Sequence, residues 1–311
     1  MKNSKQLFFA LRLLVTIGIS IWVWKRLQGT GETPIELFES VDVWVFAVPS
    51  LVISVNTFVH AIRLWILFKA AAQPISLTLL LSAILKGHFV GLILPMGGAD
   101  IVKISYLSQA AGGSSLAAAM LGLARLLEMI PWGGALLLGG FVLLKIDGTI
   151  GIMAIGCGLS LLLTCVGGMW VSQRKISSWS RGPEKLRRFV ERLEEGLHHV
   201  GKQPKPLLLV SSLGLCFLFM NTLCLWLLCG AFDEPLLFLE VLTLFPLIDF
   251  LVSLPISLNG VGVRESVYPL LLASHGLGMD VALAVAWTRW TGEIFRAGVG
   301  GILFLGDHRA T

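Results

Sequence analysis

Charged side chains are scarce in this sequence. Asp, Glu, Lys and Arg make up 14% of its 311 residues, where a soluble globular domain carries about 25%. That shortage excludes a water-facing surface over most of the chain. Long runs of alternating apolar and polar residues are missing, which excludes a β-barrel. The longest polar stretch is too short to fold alone, so no separate soluble catalytic domain is expected. The five cysteines (Cys157, Cys165, Cys216, Cys224 and Cys229) sit inside apolar runs without a C-x-x-C spacing. They read as reduced packing residues rather than metal ligands. There is no H-E-x-x-H, no Ser-His-Asp arrangement and no Asp-rich metal pattern, and the glycine clusters follow no strand, as a nucleotide-binding loop would. The expectation is a protein that is not an enzyme, with no cofactor, no metal and no nucleic-acid partner.

What the chain has in quantity is hydrophobic residues, 55% of the total, gathered in runs long enough to cross a bilayer. Spans are predicted at Leu7–Trp24, Val43–Phe68, Leu116–Leu144, Ile150–Val171, Leu207–Cys229 and Val281–Leu305. Leu7–Trp24 follows Lys2 and Lys5 but lacks a small-residue cleavage site, so it reads as an uncleaved first span. Shorter apolar helices, Leu77–Leu94 and Leu236–Leu254, run into Pro95-Met96-Gly97-Gly98 and Pro255 to Gly262. Proline and glycine break helices there, and irregular backbone at membrane depth persists only where protein buries it or where it lines a watery cavity.

The one long hydrophilic loop, within 172–206, holds nine Lys/Arg against four glutamates. The positive-inside bias makes it cytoplasmic. Its Pro183–Val200 part has the spacing of an amphipathic interfacial helix or of a plain solvated one. Crossing parity then places the N-terminus and the C-terminus on the cytoplasmic side of an inner membrane. The Pro-Gly breaks and short second arms favour hairpins that enter and leave on one side.

The hairpins recur. Val43–Leu144 and Leu207–Leu305 share the order span, helix ending in Leu-Pro, cation, Tyr, Gly, Ala-rich helix, Arg and Glu. With the first copy entering from inside and the second from outside, they form an inverted repeat, whose corresponding breaks point to a midplane substrate site. The fold class expected is therefore all-α: a polytopic helical membrane protein with two broken-helix hairpins in an inverted repeat. Residues 1–311 form one integral membrane domain, with repeat A at about 43–144, a connecting span and basic loop at 145–206, and repeat B at about 207–305.

Charge inside such segments is expensive and marks function by default. Candidates for binding a substrate are Arg63, Asp100, Lys103, Arg125, Glu128, Asn259, Arg264, Glu265, Arg289 and Glu293, with Pro95, Gly97, Gly98, Pro255, Gly260 and Gly262 shaping the breaks. Arg125/Glu128 and Arg289/Glu293 are spaced to share a helix face. Cations outnumber local anions, which suits a phosphate. His60, His88 and His275 read as packed or interfacial histidines. Asp249, alone in an apolar helix, suits either proton coupling or a helix-packing hydrogen bond.

The segments A-I-R-L-W (Ala61–Trp65), L-P-M-G-G-A-D-I-V-K (Leu94–Lys103), A-R-L-L-E (Ala124–Glu128) and L-P-I-S-L-N-G-V-G-V-R-E-S (Leu254–Ser266) resemble the lysylphosphatidylglycerol synthase transmembrane-region family. That family includes the flippase half of the multiple peptide resistance factor and hopanoid-associated membrane proteins. The family usually has arginine where Lys103 stands, and Gly-Gly-Asp where this chain has Gly98-Ala99-Asp100. The resemblance implies a lipid flippase or transporter that takes an anionic or aminoacylated phospholipid, or a polyprenyl or hopanoid-type lipid. The other reading is a non-transporting subunit that presents lipid to a biosynthetic partner protein. Aminoacyl transfer in larger members belongs to a separate soluble domain, so no synthase activity is expected here.

Overall fold

A computed structural model describes residues 42–93, 98–172, 184–233, 235–254 and 260–307. The predicted span Leu7–Trp24 lies outside them, as do Pro95, Gly97, Pro255 and Asn259. The described residues form ten helices and no strand: α1 (Trp44–Ala70), α2 (Leu77–Ile93), α3 (Gly98–Ser108), α4 (Ser114–Leu143), α5 (Gly148–Ser172), α6 (Glu184–Gly201), α7 (Pro204–Ala231), α8 (Phe238–Ser253), α9 (Val263–Ala273) and α10 (Met279–Asp307).

Four helices, α1, α4, α5 and α7, are long and apolar enough to cross a membrane. This is an integral membrane protein. In α1 the buried face of Ala61, Leu64 and Phe68 backs onto an exposed stripe of Leu51, Val55, Phe58, Ile62 and Trp65. Apolar residues on both faces are the mark of a helix set between protein and lipid. The 29-residue α10 is as long but carries Asp280, Arg289, Glu293 and Arg296. By contrast α3 and α9 have 11 residues each, about 16 Å at the helical rise. That is near half the ~30 Å hydrocarbon core, too short for either to cross alone. Each packs against the helix before it, α3 on α2 and α9 on α8, as the hairpins read from the Pro-Gly breaks require.

The chain divides into two compact units. One takes the described parts of Ser54–Leu137, Gly158–Met220 and Arg296–Thr311, including the α2–α3 hairpin; the other takes those of Met1–Ile53, Leu138–Cys157 and Asn221–Phe295, including α8–α9. The first has a continuous core of Leu64, Leu67, Phe68, Leu80, Ile84, Leu107, Met120, Leu123 and Leu127, closed by Val200 and Val210. On its edge lies α6, where a methyl added to Gly196 would come within 2.6 Å of Leu116. Gln203 Nε2 donates to the Ala70 carbonyl at 3.0 Å and ties the end of α6 to α1. The amphipathic segment thus uses its apolar edge on α4, while the Arg187–Glu191 and Arg188–Glu184 ion pairs face outward and add little stability.

Glycine sets the distance between α4 and α5. Gly133 and Gly140 on α4 meet Gly158 and Gly151 on α5, and a Cβ at Gly158 would lie 2.9 Å from both the Gly133 carbonyl oxygen and the Leu137 nitrogen. Without a hydrophobic drive inside lipid, such close backbone approach is what holds transmembrane helices together. Gly158→Leu is therefore expected to destabilise the protein by about 1–3 kcal/mol through overpacking, read as a lowered unfolding temperature in detergent. Gly156→Leu, at a position where an added Cβ meets nothing within 4 Å, should leave that temperature unchanged. The five cysteines are unbridged, with Cys165, Cys224 and Cys229 buried.

Candidate functional site

In the first unit Arg63 is fully buried on α1. Its Nη1 donates to Glu128 Oε2 at 2.9 Å and its Nη2 to the Ala124 carbonyl at 2.7 Å. Glu128 and Ala124 are one turn apart on α4, so the guanidinium fork spans that turn. An arginine in so apolar a setting is tolerated only with such charge-assisted partners. Gly214 of α7 closes over the pair: an added Cβ would lie 3.6 Å from Arg63 Nη2 and 3.4 Å from Pro131.

A second cluster lies on the α2–α3 hairpin and the adjoining face of α4. Asp100 sits in the first turn of α3, where the helix dipole favours a carboxylate. Arg125 Nη2 donates to its Oδ2 at 2.7 Å and Lys103 Nζ to its Oδ1 at 3.4 Å, so each carboxylate oxygen faces one cation. Lys103 is buried and Arg125 is 60% exposed. The Lys103 stem fits because Gly87 lacks a side chain; a Cβ there would come within 2.7 Å of Lys103 Cγ and 2.8 Å of the Ala99 carbonyl oxygen. Gly91, one turn along, receives Ala99 in the same way. The buried Lys86 on the same hairpin lays its ammonium over the Tyr106 ring, 4.5 Å from the centroid.

The second unit holds a different arrangement. Arg289 of α10 is 8% exposed. Its Nη2 donates to Asn221 Oδ1 of α7 at 3.1 Å, its Nη1 lies 3.5 Å from the Tyr268 hydroxyl of α9, and its Cζ lies 4.7 Å from the Phe245 ring centroid of α8. These three partners are neutral, and the Asp249 and Glu293 carboxylates also act on the guanidinium electrostatically. Arg264, in the first turn of α9, stacks on Trp290 with its Cζ 5.5 Å from the ring centroid. The turn that delivers it needs glycine: Gly260 and Gly262 have φ of +76° and +83°, a region open to glycine without strain. Glu265 Oε2 accepts from the Gly262 backbone N–H at 2.6 Å, capping the start of α9.

The sequence profile described as Lysylphosphatidylglycerol synthase TM region matches residues 9–289. The chain belongs to that family. No curated protein and no solved structure matches it.

In this member of the lysylphosphatidylglycerol synthase transmembrane-region family, the charges pair differently from their spacing along the chain. Arg125 and Glu128 share a helix, but each takes its partner from another one, Asp100 and Arg63 respectively. Glu265 serves the backbone rather than its neighbour Arg264. Arg289 finds Asn221 and Tyr268 across helices. The first unit brings together Arg63 with Glu128, and Asp100 with Lys103 and Arg125; Gly98 is buried at the start of α3. Arg264, Arg289 and Glu293 belong to the second unit, where Glu293 also has a polar or electrostatic contact. Asn221, Trp290 and the Gly87/Gly91 pair were not among the sequence candidates. Gly87 and Gly91 carry a readable signal, a G-x-x-x-G spacing in an apolar helix, and Asn221 is a lone amide in an apolar run.

Proposed function

We propose that this membrane protein binds the anionic headgroup of a phospholipid, aminoacylated or not, and moves it across the cytoplasmic membrane. The observation that supports this most is Arg289. A buried guanidinium hydrogen-bonded to an amide and a phenol and laid against a ring, with the Asp249 and Glu293 carboxylates acting on it electrostatically, keeps its charge in a low-dielectric setting where charge is costly. Phosphate oxygens accept from such a guanidinium with matching bidentate geometry. Arg264, in the same unit, adds a second cation. In the other repeat, Lys103 of α3 and Arg125 of α4 stand around the one carboxylate of Asp100.

In the same reading the basic 172–206 loop and both termini are cytoplasmic, and the chain moves lipid rather than synthesising it. Liposomes containing the purified protein and labelled phosphatidylglycerol test this: an impermeant reductant should reach inner-leaflet label faster than in protein-free vesicles. Lipid that stays bound but is never moved would overturn transport in favour of a subunit presenting lipid to a partner enzyme. Aminoacyl-lipid formation by the purified chain supplied with charged tRNA would overturn the non-enzymatic part.

A further inference from the structure

Resting on that headgroup-binding reading, we infer that Trp290 is a ligand-binding residue, its indole N–H and Arg264 Nη1 together seating one oxyanion oxygen. Both atoms are buried, and neither has a hydrogen-bond acceptor among the described residues. Native proteins pair the large majority of buried polar groups, so an orphan invites an explanation. Here there are two, on side chains that touch, since Arg264 lies over the Trp290 ring. The stack restrains the guanidinium plane and holds the two donors in one neighbourhood.

The chemistry of these groups narrows what can complete them. An indole N–H donates only, and a guanidinium donates only. A cationic group therefore satisfies neither, and a hydroxyl accepts from them but brings no counter-charge, while a phosphate or carboxylate oxygen, with several lone pairs and a negative charge, satisfies both at once. The adjacent Arg289 adds charge of the same sign from the neighbouring position on α10. Trp290 in this reading reads the oxyanion itself, whereas its ring positions Arg264; the two roles separate because phenylalanine keeps the ring and loses the N–H.

Trp290→Phe is the test, in lipid-stripped detergent micelles titrated with phosphatidylglycerol and, separately, with diacylglycerol and with inorganic phosphate, bound ligand being counted by native mass spectrometry. Phosphatidylglycerol binding should weaken about three- to tenfold, the worth of one hydrogen bond. Diacylglycerol binding should not change, and the unfolding temperature of the lipid-free variant should equal or exceed that of the wild type, because an unsatisfied donor has gone. Equal phosphatidylglycerol binding by both proteins overturns the role of Trp290 and leaves the headgroup reading in place. Inorganic phosphate that binds as tightly as the lipid, with the same loss in the variant, makes the ligand a soluble anion and overturns the lipid assignment. A wild type that binds no phosphatidylglycerol overturns the headgroup reading itself.

Discussion

Replacing Arg289 by alanine is expected to slow headgroup movement at least about tenfold, with little loss of stability. A hydrogen bond between a charged donor and its acceptor is worth about 1.5–3 kcal/mol, and each 1.4 kcal/mol is a factor of ten. Asn221 Oδ1 and the Tyr268 hydroxyl would each lose a donor, at about 1 kcal/mol apiece. Against that, the desolvation cost of a buried cation disappears, and the two effects oppose one another. Arg289→Lys should fall between wild type and alanine, since an ammonium keeps the charge but not the planar fork that reaches Asn221 and Tyr268 together. Translocation of labelled phosphatidylglycerol in liposomes and unfolding temperature in detergent are the paired measurements. An alanine variant as fast as wild type would remove Arg289 from the site.

Arg63 should behave in the opposite sense. It is fully buried while its partner Glu128 is 23% exposed, and removing one member of a buried ion pair costs about 3–5 kcal/mol because the other is left uncompensated. The partial exposure of Glu128 lets water recover some of this, so Arg63→Ala is expected near the lower figure, about 3 kcal/mol, in the unfolding free energy. Replacing both partners, Arg63→Met with Glu128→Met, should recover most of the loss, because apolar substitutes for a buried pair are often neutral or stabilising. A double variant no more stable than Arg63→Ala would show that the pair is not what Arg63 contributes. The same variant decides its part in transport: full translocation would take Arg63 out of the headgroup set, and loss of translocation at wild-type stability would keep it there.

These contrasts show how far residue order carries. The spans were legible because a helix in lipid must be apolar over its whole length, and α1, α4, α5 and α7 satisfy that without help from neighbours. The hairpins were legible from backbone chemistry: α2 and α8 are each followed by a short helix, α3 and α9. Candidate charges stood out because each sits in a run where charge is rare. Partners were less accessible. Spacing along α4 suggests that Arg125 faces Glu128, yet a helix face is wide enough for two neighbours to reach different helices, and each found a carboxylate or cation there.

The sequence by itself determined that this is a helical membrane protein of one family, which segments are long enough to cross, where they break and which residues bring charge inside. Only the tertiary structure decided which charges are spent on one another. Arg63 and Arg289 look alike in the chain, each an arginine amid leucine, alanine and tryptophan. One meets a carboxylate and the other an amide, a phenol and a ring. Neutralisation depends on separations of about 3 Å between residues 65 or 68 positions apart, and no local pattern records those separations.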